Sequence, residues 1–224
     1  MSTTKFYDLT HTLNSQISIY PGDPTYTAQH LTTIQTDHYQ IHQISCGSHT
    51  GTHIDAPSHF IPNSLTIDQI PLNQLIGPAI ILDLSKKNIK PKQKIVWKDI
   101  AELYERDLKP GVIVLICTGW YEKWGTKEYF DHPYLMEDVA KGLVEHGIRV
   151  VGVDTMNPDE TMLEGEGENG FKFHQVFLGA GGVIAENITN LKSLIGLHNV
   201  HVSLLPLKLE GVDGSPIRAI AWQS

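Results

Sequence analysis

Apolar residues crowd into three short runs in the middle of the chain: PAIILDL (78–84), GVIVLICTG (111–119) and IRVVGVD (148–154). Runs of this length, rich in Ile and Val, predict buried strands. Between the first two, WKDIAELYERDL (97–108) places Ile100, Leu103, Tyr104 and Leu108 at helical spacing. A second amphipathic stretch, LMEDVAKGLVEHG (135–147), ends at a glycine suited to the left-handed cap and leads into the third strand. KFYDLTH (5–11), HVSLLPLKL (201–209) and PIRAIAW (216–222) read as further strands, and IYPGDP (19–24) as a turn. Helices alternate with strands in the middle, and both ends are strand-rich. The pattern predicts an α/β domain with a mixed sheet.

Composition narrows the picture. The chain has 224 residues, 41% hydrophobic and 19% charged, enough for one sizeable core. With no repeat and no long linker, a single domain over 1–224 is expected. A formal charge of −8 argues against nucleic acid and anionic membranes as partners. The first ten residues lack a basic region followed by an apolar run, and no apolar stretch is long enough to span a bilayer. Cys46 and Cys117 have neither pair nor metal-like spacing, which points to a reducing cytoplasm. The Glu- and Gly-rich stretch 161–170 reads as a surface loop. GAGG (179–182) lacks the surrounding glycine fingerprint of a dinucleotide site.

The chemistry concentrates in HTGTHIDAPSHF (49–60), where His49, His53, Asp55 and His59 are separated by even intervals. Even spacing favours one face of a strand, and Pro57 argues against a helix. A straight strand would carry His53 roughly 13 Å from His49, at about 3.3 Å per residue. The chain must therefore curl between them, which Gly51 permits, while Pro57 stiffens the turn that returns His59. Two imidazoles and a carboxylate suit Zn²⁺, Mn²⁺ or Fe²⁺ with positions left open for water. There is no HExxH motif and no cysteine pair, so the zinc-protease and zinc-finger patterns do not apply.

HTGTHIDAPSHF resembles the HxGTHxDxPxH motif of the cyclase-family metal-dependent hydrolases, which include bacterial kynurenine formamidases. YPGDP (20–24), the strand ending VGVD (151–154), FHQVFLGAGGVIAEN (173–187) and LPLKLEGVDGSPIRAIA (205–221) extend the resemblance over most of the chain. It implies a compact β/β/α domain, assembled as a homodimer or homotetramer, with one or two divalent ions, Zn²⁺ or Mn²⁺. By the same resemblance His49 and His53 would hold one ion, Asp55 would bridge, and His174 would bind the second with Glu186 bridging or completing the pair. His59 would be the general acid/base, with ligand or ligand-supporting roles as alternatives. Tyr20 would contact a small-molecule substrate, at a position where the formamidases carry Trp.

Two divalent ions facing two carboxylates keep a net positive charge, which favours a metal-bound hydroxide. Such a site is expected to cleave a C–N bond of an amide or formamide. A lactone or lactam hydrolase, a cyclase or dehydratase, and a metal-binding protein without catalysis are the alternatives. Asp154 reads as a structural hydrogen-bonding residue or a pocket residue, Asp23 as a turn residue, and His198 and His201 as structural.

Overall fold

The computed structural model describes residues 4–162 and 170–223. Its strands are β1 (Phe6–Asp8), β2 (Thr27–Thr32), β3 (Ile41–Ser45), β4 (His53–Asp55), β5 (Ile76–Asp83), β6 (Lys94–Ile95) and β7 (Ile113–Cys117). They continue as β8 (Tyr134–Leu135), β9 (Val150–Val153), β10 (Val183–Glu186), β11 (Val200–Ser203), β12 (Gly214–Pro216) and β13 (Ile220–Gln223). The α-helices are α1 (Ile34–Asp37), α2 (Leu72–Leu75), α3 (Trp97–Tyr104), α4 (Glu137–Glu145) and α5 (Lys172–Gly179). Nine strands form one mixed sheet in the order β1-β13-β11-β5-β7-β9-β10-β4-β12. The three apolar runs supply its centre: β5, β7, β9 and β10 are parallel neighbours, joined through α3, α4 and α5. Parallel strands need such crossovers.

Strand parity divides the core. Ile113, Leu115 and Cys117 of β7 enter one apolar cluster, and Val114 and Ile116 enter the other. The first cluster fills the inside of the curled sheet, with Ile54, Val183, Ala185 and Ala221. The second lies beneath the helices, with Leu143 of α4 and Phe173 and Phe177 of α5. Gly152 marks where the inner layer has no room: a Cβ there would sit 2.4 Å from Ile188 and 2.7 Å from Leu115.

The outer segments differ from the sequence reading. Of the run 201–209 only 201–203 is strand, because Pro206 cannot donate to a ladder and Leu205, Leu207 and Leu209 stay exposed. The expected strand 216–222 is two strands on opposite sides of the sheet, β12 beside β4 and β13 beside β1 and β11. The sheet curls until these sides meet: Thr189 N–H, just past β10, donates to Leu9 O, and His11 N–H donates to Thr52 Oγ1. The helix predicted to 108 stops at Tyr104 and tightens into a 3₁₀ turn at Glu105–Asp107, which still buries Leu108. The helix of 135–147 starts two residues late, after β8, and Gly147 takes the left-handed conformation foreseen for it (φ 75°). The hairpin β2–β3 was not foreseen and is almost wholly exposed. Of the loop expected at 161–170, residues 163–169 lie outside the described residues.

Candidate metal centre

The stretch 49–60 folds as its small residues require. Gly51 is left-handed (φ 64°), β4 follows, and Pro57 opens a 3₁₀ turn over Pro57–His59. In β4, Ile54 points into the curled core, so His53 and Asp55 must face the helix-covered side. The antiparallel partner β10 obeys the same parity: Ala185 points inward, and Glu186 stands opposite His53. Helix α5 crosses this face and brings His174. Four ligand-type side chains, His53, Asp55, His174 and Glu186, are each no more than 5% exposed. His49 joins them from the turn before Gly51.

Asp55 is the hub. Its Oδ1 lies 2.7 Å from His49 Nδ1 and 3.2 Å from His53 Nε2, and its Oδ2 lies 3.5 Å from His174 Nε2. Glu186 repeats the division, with Oε2 3.3 Å from His53 Nε2 and Oε1 3.2 Å from His174 Nε2. The two carboxylates thus offer one oxygen to the His49/His53 side and one to the His174 side.

The nitrogens facing away are all tied to oxygen. His53 Nδ1–H donates to Gly51 O (2.8 Å), His174 Nδ1–H to Asp159 Oδ2 (2.6 Å), and His49 Nε2–H to Asp213 Oδ2 (3.1 Å). This is how proteins fix the tautomer of a metal-ligating imidazole. His53 Nε2 and Asp55 Oδ2 are buried and make no hydrogen bond. Buried polar atoms left in this way are costly, and a cation between the ligands would satisfy both. The donor set fits a divalent ion.

The electrostatics agree. Burial pulls His49 and His53 down, but Asp55 with Asp213 or Glu186 overcomes it, raising them to about 9 and about 10. His174 is raised as well, against burial, by Asp159, Asp55 and Glu186. The site is built to hold positive charge. His59 goes the other way: burial lowers it, and the neighbouring imidazoles add to that.

Atoms of His49, His53 and Asp55 lie within 4.8 Å of one another, as do those of Asp55, His59 and His174. By distance His59 is thus a member of the second group, and it is the most exposed one. Its ring is 3.9 Å from that of His49, and its Nδ1–H donates to Asp213 Oδ2 at 3.2 Å. A cavity of about 280 Å³ opens onto these groups. Tyr20, Phe60 and Phe171 give it an aromatic wall, with Phe171 5.3 Å from Phe60 and 6.4 Å from Tyr20. Tyr20, singled out from the sequence, lines this cavity.

The family model named Cyclase matches residues 7–160. The chain belongs to the cyclase family. Among its curated relatives, the kynurenine formamidase of Bacillus mycoides (strain KBAB4) is 30% identical over 222 residues, covering 98% of each chain. Isatin hydrolase A from Labrenzia aggregata, in a structure bound to benzyl benzoate, superimposes with a TM-score of 0.86 at 25% identity, over 98% of this chain and 94% of that one. A structure described as a "potential metal-dependent hydrolase with cyclase activity" gives a TM-score of 0.76 at 28% identity over 99% of each chain.

Within this cyclase-family site the sequence reading missed several side chains. Asp23, read as a turn residue, lines the cavity. Asp159 holds His174 and also accepts the Phe173 and His174 backbone N–H groups that open α5. The Pro-Asp turn after VGVD was its visible signal. Asp213 lay within the closing segment with nothing local to mark it. Asp154 proves structural: it is fully buried and accepts the backbone N–H groups of Thr118 and Gly119 and the Thr118 hydroxyl. His201 stacks on Trp222, outside the site. GAGG forms the turn from α5 to β10.

Proposed function

We propose that the protein is a metal-dependent hydrolase that cleaves the C–N bond of an aryl formamide or related aryl amide. One observation carries this reading: buried imidazoles and carboxylates converge on two hydrogen-bond orphans, at the mouth of an aromatic-walled cavity. The cyclase-family relatives named above support hydrolysis over cyclisation or dehydration. His49, His53 and Asp55 would hold one ion, and Asp55, His174 and Glu186 the other; Zn²⁺ suits these nitrogen and oxygen donors, with Mn²⁺ next. Bound there, divalent ions supply Lewis-acid polarisation of the substrate carbonyl and acidify water.

The protein's own groups do the rest. Tyr20, Phe60 and Phe171 seat the aryl ring against the flat faces that aromatic contacts favour. His59, partly exposed at the rim, accepts the proton of the attacking water and returns it to the departing nitrogen. One water is added overall, giving a carboxylate, an amine and a released proton. We also propose assembly as a homodimer or homotetramer, supported by the bare β2–β3 hairpin, and a cytoplasmic setting, supported by the exposed free thiol of Cys46. No helix among the described residues is long and apolar enough to cross a membrane.

The test is formate release from N-formylkynurenine by zinc- or manganese-loaded protein, with a chelated control. Chelator-sensitive release is expected. His59→Ala should keep its metal and lose turnover; loss of metal would make His59 a ligand instead. Bound metal without release from any aryl formamide or amide would overturn the substrate assignment.

A further inference from the structure

Asp213 lies just before β12, which pairs with β4, and its carbonyl accepts the Ala56 N–H at 2.8 Å. The backbone therefore pins this aspartate beside the turn that carries His59. Its carboxylate is shared among three side chains. Oδ1 accepts the Ser48 hydroxyl at 3.0 Å, and Oδ2 accepts from His49 Nε2 at 3.1 Å and from His59 Nδ1 at 3.2 Å. An ionised carboxylate only accepts, so both ring nitrogens that face it must carry protons. For His59 this fixes the tautomer: Nδ1 holds the hydrogen, and Nε2 on the far side of the ring is left as the basic nitrogen.

We propose that Asp213 is a positioning residue that holds His59 in its Nδ1–H form, so that Nε2 moves the proton during hydrolysis. The carboxylate ties the proton-carrying imidazole to His49, a ligand candidate, so that the ring and the ion site keep a fixed relation. This rests on the hydrolase reading for its kinetic consequences, but not for the tautomer itself. Supporting carboxylates of this kind are worth about 10–100-fold in activity or metal affinity.

The experiment has two arms on full-length, zinc-loaded protein. Long-range ¹H–¹⁵N NMR of the imidazoles, with His59 assigned through His59→Asn, reads the tautomer directly. Wild type is expected to show Nδ1–H at His59, and Asp213→Asn to show a mixture; Nε2–H in the wild type overturns the proposal without any turnover measurement. In the second arm, Asp213→Asn should lower kcat by about 10–100-fold with KM and zinc content at saturating zinc unchanged. In a His59→Ala background the same change should cost little further, because the two residues act as one unit. A full additive loss in the double variant, or loss of a zinc ion, would overturn the positioning role and make Asp213 a ligand or a support of His49 alone. Should wild type cleave no aryl amide, the hydrolase reading fails while the tautomer still tests Asp213.

Discussion

Each candidate ligand histidine turns one nitrogen toward the Asp55 and Glu186 carboxylates and anchors the other to an oxygen behind it. The anchors differ, and so do the expected consequences of removing them. His53 uses the Gly51 carbonyl, which no side-chain substitution deletes, whereas His174 depends on the Asp159 carboxylate at 2.6 Å. Asp159→Asn should therefore weaken the ion on the His174 side by about 10–100-fold and spare the His49/His53 side. Zinc titration against a competing chelator checks this, with two separable affinities expected in the variant. Equal weakening at both sites would mean that Asp159 acts on the whole centre. The same substitution disturbs the start of α5, since Asp159 also accepts two of its backbone N–H groups. A cap of this type is worth about 1 kcal/mol.

At the scale of elements, strand parity decides which side chains reach the centre. Ile54 and Ala185 are fully buried in the curled core, and that burial forces His53, Asp55 and Glu186 onto the opposite face. The edge strand β12 then presses against the site from the side. Gly214 stands opposite Asp55, and a Cβ there would fall 2.6 Å from His49 Cε1 and 3.0 Å from both ring nitrogens. The ring cannot yield easily, being held by Asp55 on one side and Asp213 on the other. Gly214→Ala should therefore displace His49 and lower zinc affinity by about tenfold or more while leaving the fold intact. Circular dichroism together with zinc stoichiometry would show this, and an unchanged affinity would mean that β12 moves aside freely.

Two expectations belong to the whole molecule. The β2–β3 hairpin exposes Leu31, Ile34, Tyr39, Ile41 and Ile44, and Asp37 is its one charged residue over 27–45. A two-stranded hairpin is marginal alone, and an uncharged edge invites pairing. Light scattering should give the mass of a dimer or tetramer, and Ile44→Asp should reduce it; a monomeric wild type would remove the hairpin's proposed role. The second expectation concerns acid. His132 is buried, bonded to Pro133 O and Thr161 Oγ1, and burial lowers its pKa from 6.5 to about 4. The unfolded chain then binds more protons between these values, so stability is complete above about pH 6.5 and is lost as pH falls toward 4. The contribution is at most about 3 kcal/mol, at 1.36 kcal/mol per unit. His11, stacked on Trp124, is lowered to about 4 by burial and adds to the same slope. In chelator, His132→Gln should flatten the pH dependence of unfolding between about pH 4.5 and 6.5, whereas an unchanged slope would assign it to other groups.

Features whose causes are local were legible along the chain. Apolar runs and their parity specified the central strands, Gly147 the end of α4, and Gly51 and Pro57 the curl that gathers His49, His53, Asp55 and His59. Backbone sterics and side-chain alternation act within a few residues, so they leave a readable pattern. His174 and Glu186 were reached only through likeness to a family, since nothing near them in sequence resembles a ligand cluster. The other contacts arise only in the folded molecule. The bond between His59 and Asp213 spans 154 positions, and that between His174 and Asp159 joins a helix to a turn before it. Splitting 216–222 between opposite sides of one sheet likewise depends on how far the sheet curls. Such contacts follow from where the packed core places each segment, and that placement has no period along the chain.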